Sequence, residues 1–449
     1  MEAGAGGGAG ARPVPADAAM ATPSYPGDPA CNDGQENNLE TDVDCGGPVC
    51  RPCDVHRSCT SSADCLTGSC DGSLCVLASG PPFWLPGVPM KSARGGHGAA
   101  TQFFGNHRGN LVVVGGFLQS ELDTYEVFDP ESSSWTSGKL PAAPCCRLPA
   151  ASGPDGKVYL VYGDQHATWV YDGSWNPSLA PPPDGCVHAG LALGADKLLY
   201  VLCSHDSQLA PNPLMTYDTA LDRWATLKPT PTATTNVPWM TSLGSRIYVL
   251  STEDGNQYPF EAFDIDSGTW SALATPSLPS LIVGAPDGRV YKIAGFGPQG
   301  AIYAPTAAVS AYDPTTDRWT PVAPLTLNRY DHAVTAGPDG RLYAIGGVNN
   351  GSVYTNSVEV YGPVVSLASS TAAPGGNLTL TGHNFAAQAK VSIHLGATAD
   401  TLLGTGRTNA DGALDSAIVF RAGVTPGDYV MTVIDDKSRF PVTIPFTVK

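Results

Sequence analysis

The sequence predicts an all-β chain whose centre is a ring of repeated four-stranded sheets, with a disulfide-stapled module before it and a two-layer β-unit after it. Six tryptophans at near-regular intervals, Trp84, Trp135, Trp175, Trp224, Trp270 and Trp319, are the first observation. Four of them close one phrase, an aromatic-Asp pair with Trp seven residues after the aromatic: Phe128-Asp129 to Trp135, Tyr217-Asp218 to Trp224, Phe263-Asp264 to Trp270, and Tyr312-Asp313 to Trp319. Tyr171-Asp172 to Trp175 is a shortened copy. A period of this length, rich in short apolar runs and turns, belongs to stacked or radial β-architectures. The second observation is eight cysteines between Cys31 and Cys75, and the third is the loss of the repeat after Tyr361.

Within each repeat the strands can be placed one by one. A tight turn comes first, Pro154-Asp155-Gly156, Pro286-Asp287-Gly288 or Pro338-Asp339-Gly340, with Gly194-Ala195-Asp196 as a variant. Proline presets φ and glycine accepts positive φ, so such a triplet between apolar runs is a turn with a mechanism. A short β-rich run follows and often ends in glycine: Leu111–Val114 before Gly115-Gly116, Val158–Tyr162 before Gly163, Val290–Ala294 before Gly295, Leu342–Ile345 before Gly346-Gly347. The aromatic-Asp strand and the tryptophan strand complete a four-stranded antiparallel blade.

The double glycine, the aromatic-Asp phrase and the spaced tryptophan together resemble the kelch family of β-propellers, over residues 81–361. Cys203-Ser204 and Ser251-Thr252 stand where two repeats lack the double glycine. The last repeat ends at Val360-Tyr361 without a tryptophan, while Phe83-Trp84-Leu85-Pro86 reads like the end of another repeat. An N-terminal strand completing the last blade leaves no open edge. The expectation is a six-bladed kelch β-propeller.

Composition narrows the function. Charged residues make up 14% of the 449, with 51 Gly and 40 Pro, as a turn-dense β-protein requires. The net charge of −17 gives no basic stripe for a phosphate backbone, so no nucleic-acid partner is expected. No apolar run is long enough to span a bilayer. Residues 1–30, rich in Gly, Ala and Pro, read as a flexible tether. They carry no basic n-region or apolar core, so a secretion signal is taken as already removed.

The eight clustered cysteines, Cys31, Cys45, Cys50, Cys53, Cys59, Cys65, Cys70 and Cys75, define a disulfide microdomain over 31–78 and an extracellular or cell-surface setting. A lone Cys50-x2-Cys53 near His56 is too little for a zinc site. The stretch from Cys31-Asn32-Asp33-Gly34 to Asp44-Cys45-Gly46-Gly47 resembles a cysteine-rich motif of secreted myxobacterial and related bacterial proteins. Asn38, Glu40, Asp42 and Asp44 offer alternating oxygen ligands that calcium would accept, although a solvated acidic turn is the favoured reading of them. In the ring, Cys186 would open an innermost strand and Cys203 end its neighbour, which suits a bridge; Cys145 and Cys146 lie at the adjacent blade entry.

From 364 to 449 the pattern changes. Leu378–Phe385 and Lys390–Gly396 alternate as half-buried strands, and Pro426–Val433 begins a late one. About seven short strands suggest an immunoglobulin-like sandwich. The phrase Gly382-His383-Asn384-Phe385 resembles bacterial IPT/TIG-type domains, which implies a spacer or binding module.

In a propeller of this kind the loops entering the innermost strands and those after each double glycine share one face. The first set brings Arg94, His97, Arg147, His188, Arg329, Tyr330, Asp331 and His332; the second brings Phe117, His166, His205, Tyr258, Phe296 and Tyr303, with Gly297–Thr306 as a long overhanging loop. Aromatics with Arg and His suit recognition of a glycan or an extracellular protein, whereas Arg and His at blade entries can equally satisfy inter-blade carbonyls. Domain order also resembles galactose-oxidase-type copper enzymes, but their adjacent Tyr-His pair is absent, since Asp331 separates Tyr330 from His332. Copper is therefore not expected. No Gly-x-Ser-x-Gly, His-Glu-x-x-His or phosphate loop occurs; a glycosidase carboxylate pair leaves no linear signature. Non-catalytic binding is the favoured function, with an extracellular oxidase or carbohydrate-active enzyme, or a structural scaffold, as alternatives.

Overall fold

A computed structural model describes most of residues 82–449, leaving out 105–108, 131, 144–147, 163–166, 184–187, 205–212, 233–237, 252–257, 277, 279, 300–301, 387, 397–400, 410–411, 415–417, 422–424 and 439; before residue 82 it describes only residues scattered between 35 and 75. No α-helix occurs among the described residues. Six four-stranded antiparallel sheets succeed one another along the chain, each numbered here as a blade, and together they make a β-propeller. Blade 1 runs from Gly98–Phe103 through Gly109–Val114 and Thr124–Asp129 to Ser134–Lys139. Blades 2, 3, 4 and 5 begin at Ala150–Ser152, His188–Leu193, Trp239–Leu243 and Leu281–Gly284. Blade 6 consists of Ala333–Ala336, Leu342–Ile345 and Val358–Tyr361, and its fourth strand is Trp84–Pro86, which pairs with Glu359–Tyr361. The ring closes as the sequence predicts.

The repeated tryptophans have a shared task. The indole N–H of Trp135 donates to the Val88 carbonyl (2.9 Å), Trp224 to Ala180 (3.0 Å), Trp270 to Lys228 (3.4 Å) and Trp319 to Ala274 (2.7 Å). Trp84 donates to Ala323 (3.0 Å), carrying the same link across the closure. Each outer strand is thereby fastened to the segment leaving the blade before it. Trp175, in the shortened copy, is the exception: among the described residues its buried indole nitrogen has no partner.

The aspartates of the tight turns hold a second repeated bond. The phenol O–H groups of Tyr159, Tyr200, Tyr291 and Tyr343 donate to Asp155, Asp196, Asp287 and Asp339 at 3.0, 2.9, 2.7 and 3.0 Å. Gly156, Gly288 and Gly340 take φ near +80°, the left-handed conformation that the turn requires and a side chain resists. Between blades, apolar residues alternate along the second strands, so that Val112 and Val114 meet Leu160 of blade 2 while Leu111 and Val113 meet Ile345 of blade 6.

After Tyr361 the chain forms a unit of two sheets. One contains Val364–Leu367, Asn377–His383 and Ile418–Arg421; the other contains Thr371–Ala372, Lys390–Leu395, Thr401–Arg407, Gly427–Asp435 and Val442–Val448. Leu378 and Leu380 from the first meet Ile393, Val433 and Phe446 from the second in a single core. The unit is locked to the propeller. The Asn384 side-chain amide donates to the carbonyls of Phe83 and Gly362 (2.9 Å each) and its oxygen accepts the Phe83 N–H (2.7 Å). Phe440, fully buried, packs edge-on against Tyr291 and Tyr361.

In the N-terminal module, Cys45–Cys53 and Cys59–Cys70 are disulfides. Cys75 pairs by backbone with Cys70 in a two-stranded sheet. Cys31, Cys50 and Cys65 lie outside the described residues. Cys203 is disulfide-bonded, and Cys186, its expected partner, lies outside them, as do Cys145 and Cys146.

Candidate functional site

The expected loop-face residues divide into a buried set and a partly exposed set. Arg94 and Arg329 are fully buried. Arg94 donates to the Gly115 carbonyl (2.9 Å), the Thr124 carbonyl (3.1 Å) and the Glu126 carboxylate (2.8 Å). Arg329 repeats this in blade 6 with Gly346 (2.8 Å), Ser357 (3.3 Å) and Glu359 (2.7 Å). Each glutamate also accepts from the loop entering a blade: Glu126 from the amides of Lys91 and Ser92, Glu359 from Thr326 and Leu327. Both arginines use their terminal nitrogens to join three segments of one repeat, and their side chains are fully buried, so neither faces a ligand. The two glutamates escaped the sequence reading, although they occupy equivalent places in the aromatic-Asp strands.

His97 and His332 are likewise buried. Gly116 and Gly347 lie against their Cβ atoms, with 2.8 Å available to any side chain added there. This close approach, together with φ of +94° and +98°, accounts for the second glycine of each pair. Neither imidazole makes a well-formed hydrogen bond through its ring nitrogens. Burial, with the charge of Arg94, pushes His97 down to about 3; burial and Arg329 hold His332 well below the ordinary range. Both rings are neutral packing groups. Tyr258 is also buried, within the blade 4–5 seam.

The partly exposed set converges. Phe117 is bridged to Gly95 by paired backbone hydrogen bonds, and its ring faces Tyr354 at 6.0 Å. Tyr330 is bridged to Val348, and its ring faces Phe296 at 5.1 Å. Val348 is bridged in turn to Tyr354, so the four aromatics form an arc over blades 5, 6 and 1. Phe296 is 42% exposed, and Leu327 and Val353 are exposed on the segments that carry Tyr330 and Tyr354. Phe117, Phe296 and Tyr330 were legible from their repeat positions; Tyr354 was not.

The expected long loop at Gly297–Thr306 is instead a continuation of two strands, Val290–Gln299 and Ile302–Asp313, paired to their tips. A bulge between Ile293 and Gly295 turns this arm, and the Arg329 N–H holds it through the Thr306 carbonyl (3.1 Å). Regular cross-strand pairing from Gly295–Thr306 to Gln299–Ile302 satisfies backbone groups that an open loop would leave to water. Tyr303 pairs with Pro298 in the arm, and His188 pairs with Ser204 at the start of blade 3. Arg147, His166 and His205 lie outside the described residues.

The channel between the innermost strands opens at the opposite, tight-turn face into a cavity of about 670 Å³. Small residues such as Ala100, Ala151 and Ala336 line it, joined by Pro441 and Thr443 of the C-terminal unit, and no lining residue is charged. Of the oxygen ligands considered for calcium, Asp42 accepts from the amides of Val43 and Ser58 (2.7 Å each) and pairs with Arg57 (2.9 Å). Burial raises its pKa, but these contacts outweigh it and hold the carboxyl below the usual range. Asn38 and Asp44 lie outside the described residues. Among the described residues no group of three His, Cys, Asp or Glu side chains is arranged to hold a metal.

Comparison with known proteins agrees with this architecture. Residues 329–364 match the kelch motif, and they contain the Arg329–Glu359 pair and the last double glycine. Kelch-like protein 36 of Rattus norvegicus and that of Mus musculus are each 25% identical over 257 residues; the Bos taurus protein is 26% identical over 193. The rodent matches span 56% of this chain and 28% of the relative. Among solved structures, a copper-bound fungal alcohol oxidase of the AA5 family is 13% identical, with a TM-score of 0.45, over 82% of this chain and 99% of its own. The structure of YjhT is 12% identical, with a TM-score of 0.47, over 63% and 96%. The blade topology makes the central region a six-bladed β-propeller, and its last repeat carries a kelch motif.

Proposed function

We propose that the chain is a non-catalytic binding protein that docks a partner protein on the loop face of blades 5, 6 and 1. The arc of Phe117, Tyr354, Tyr330 and Phe296 carries this reading, because large rings held by backbone bridges give contact area at little ordering cost. Kelch repeats support a protein partner; a glycan stacking on the same rings is the second reading. The disulfides Cys45–Cys53 and Cys59–Cys70 and the bonded Cys203 support an extracellular setting. The cysteine-rich module and the C-terminal unit, taken as immunoglobulin-like, act as spacers.

The test compares the wild type with Phe296→Ala and Tyr330→Ala against a peptide-display library and a polysaccharide panel. Ligands lost by both variants at unchanged melting temperature support the site. Ligands retained by both would remove it.

A further inference from the structure

One level of the propeller compares the blades directly. In blades 1, 4 and 6 a second-strand residue pairs across the ladder with a buried glutamate, Val113 with Glu126, Val249 with Glu261 and Ala344 with Glu359. Directly paired residues of antiparallel strands share a face. At the same place blade 5 pairs Lys292 with Ser310. A cation therefore stands where blades 1 to 4 and 6 carry the buried apolar residues Val113, Leu160, Val201, Val249 and Ala344. A hydroxyl stands where blades 1, 4 and 6 carry a carboxylate.

Lys292 is only 3% exposed and has no ion pair or hydrogen bond among the described residues. Buried lysines are rare unless paired, because an uncompensated ammonium loses its hydration with nothing in return. Desolvation alone draws its pKa down to about 8. Ser310, by contrast, is only half-buried, so the outer side of this position is open in blade 5. Glu126 and Glu359 close it in blades 1 and 6.

We propose that Lys292 and Ser310 form an anion site that takes the carboxylate of a ligand, in the place a glutamate side chain fills in blades 1 and 6. The ammonium supplies the counter-charge that the arginine supplies in those blades, and Ser310 supplies a hydroxyl donor. A neutral hydroxyl or amide would leave the ammonium uncompensated, so the site selects charge. The site is separate from the aromatic arc. Phe296 lies four residues further along the strand, about 13 Å at ordinary strand rise.

Isothermal titration of the full oxidised chain with galacturonate, with an end-blocked glutamyl peptide and with galactose tests this. Lys292→Leu, which restores the apolar residue of the other blades, and Phe296→Ala are run alongside. At least one carboxylate should saturate the wild type and Phe296→Ala equally, weaken at least tenfold in Lys292→Leu, and raise the melting temperatures of the wild type and Phe296→Ala but not that of Lys292→Leu. Whichever carboxylate binds identifies the source as a uronic acid or a polypeptide. No saturation by either carboxylate, equal binding to Lys292→Leu, or equal binding of galactose would each overturn the proposal. Loss in Phe296→Ala alone would count against the site without touching the loop-face reading.

Discussion

The Arg329–Glu359 pair permits a double-mutant cycle that separates a structural arginine from a ligand-facing one. Both side chains are almost wholly buried and their ionic contact is 2.7 Å. Glu359→Met keeps the length and removes the charge and both acceptors, leaving the guanidinium in the interior with only the carbonyls of Gly346 and Ser357 and the Ser357 hydroxyl. Breaking one side of such a pair costs about 3–5 kcal/mol. Arg329→Met strands Glu359, which still accepts from Thr326 and Leu327, so about 3 kcal/mol is expected, at the low end of that range. The double change to Met at both positions leaves two carbonyls and two amides without partners, at about 1–3 kcal/mol each if no water enters. Relaxation and water entry at the opened loop should hold its total near that of the costlier single, about 4–5 kcal/mol. The coupling energy is then about 3 kcal/mol, and guanidinium chloride unfolding followed by tryptophan fluorescence would measure it. Additivity within about 0.5 kcal/mol would refute the reasoning. It would mean that the guanidinium stands free of Glu359 and is available to the loop face after all.

Two further outcomes follow from the same geometry. Trp84→Phe should cost about 1 kcal/mol more than Trp175→Phe in the same unfolding assay, because only Trp84 loses an indole hydrogen bond. Equal costs would remove the fastening role given to the repeated indoles. His97, held down to about 3 in the folded chain by burial, binds no proton between there and the unfolded value near 6.5. The stability it contributes is present above pH 6.5 and is lost as pH falls through that window, amounting to about 3 kcal/mol between pH 7 and 4.5. His97→Leu should flatten this acid limb, and an unchanged limb in stability curves at the two pH values would show that the ring is not sealed.

The sequence made the architecture legible because its signals are local and repeated. Trp84 could be assigned to the last blade simply because Phe83–Pro89 reads like Trp319–Pro324. The site was legible only in part, for a different reason. Position in a repeat tells which face a residue approaches but not how deep it lies. Arg94, Arg329, His97 and His332 do approach the loop face, yet glutamates some thirty residues further on and the glycine pairs draw them inside. Glu126 and Glu359 gave no signal because an acidic residue in a strand reads as solvent-facing until its partner is known. Lys292 was similarly silent, and only the register of six blades makes its difference visible. Tyr354 sits in an irregular segment after Gly346-Gly347, where spacing carries no information.

Asn384 joins the segment that enters the propeller to the segment that leaves it, through bonds to Phe83 and Gly362. This has a mechanical meaning. If the chain is pulled from its two ends, load arriving along the cysteine-rich module can pass from Phe83 straight into the C-terminal unit. The three-residue closing strand Trp84–Pro86, which would otherwise be peeled from Tyr361, lies outside that path. A single side-chain amide thus acts as a strain relief, and blades 1 to 5 bear no tension until it gives way.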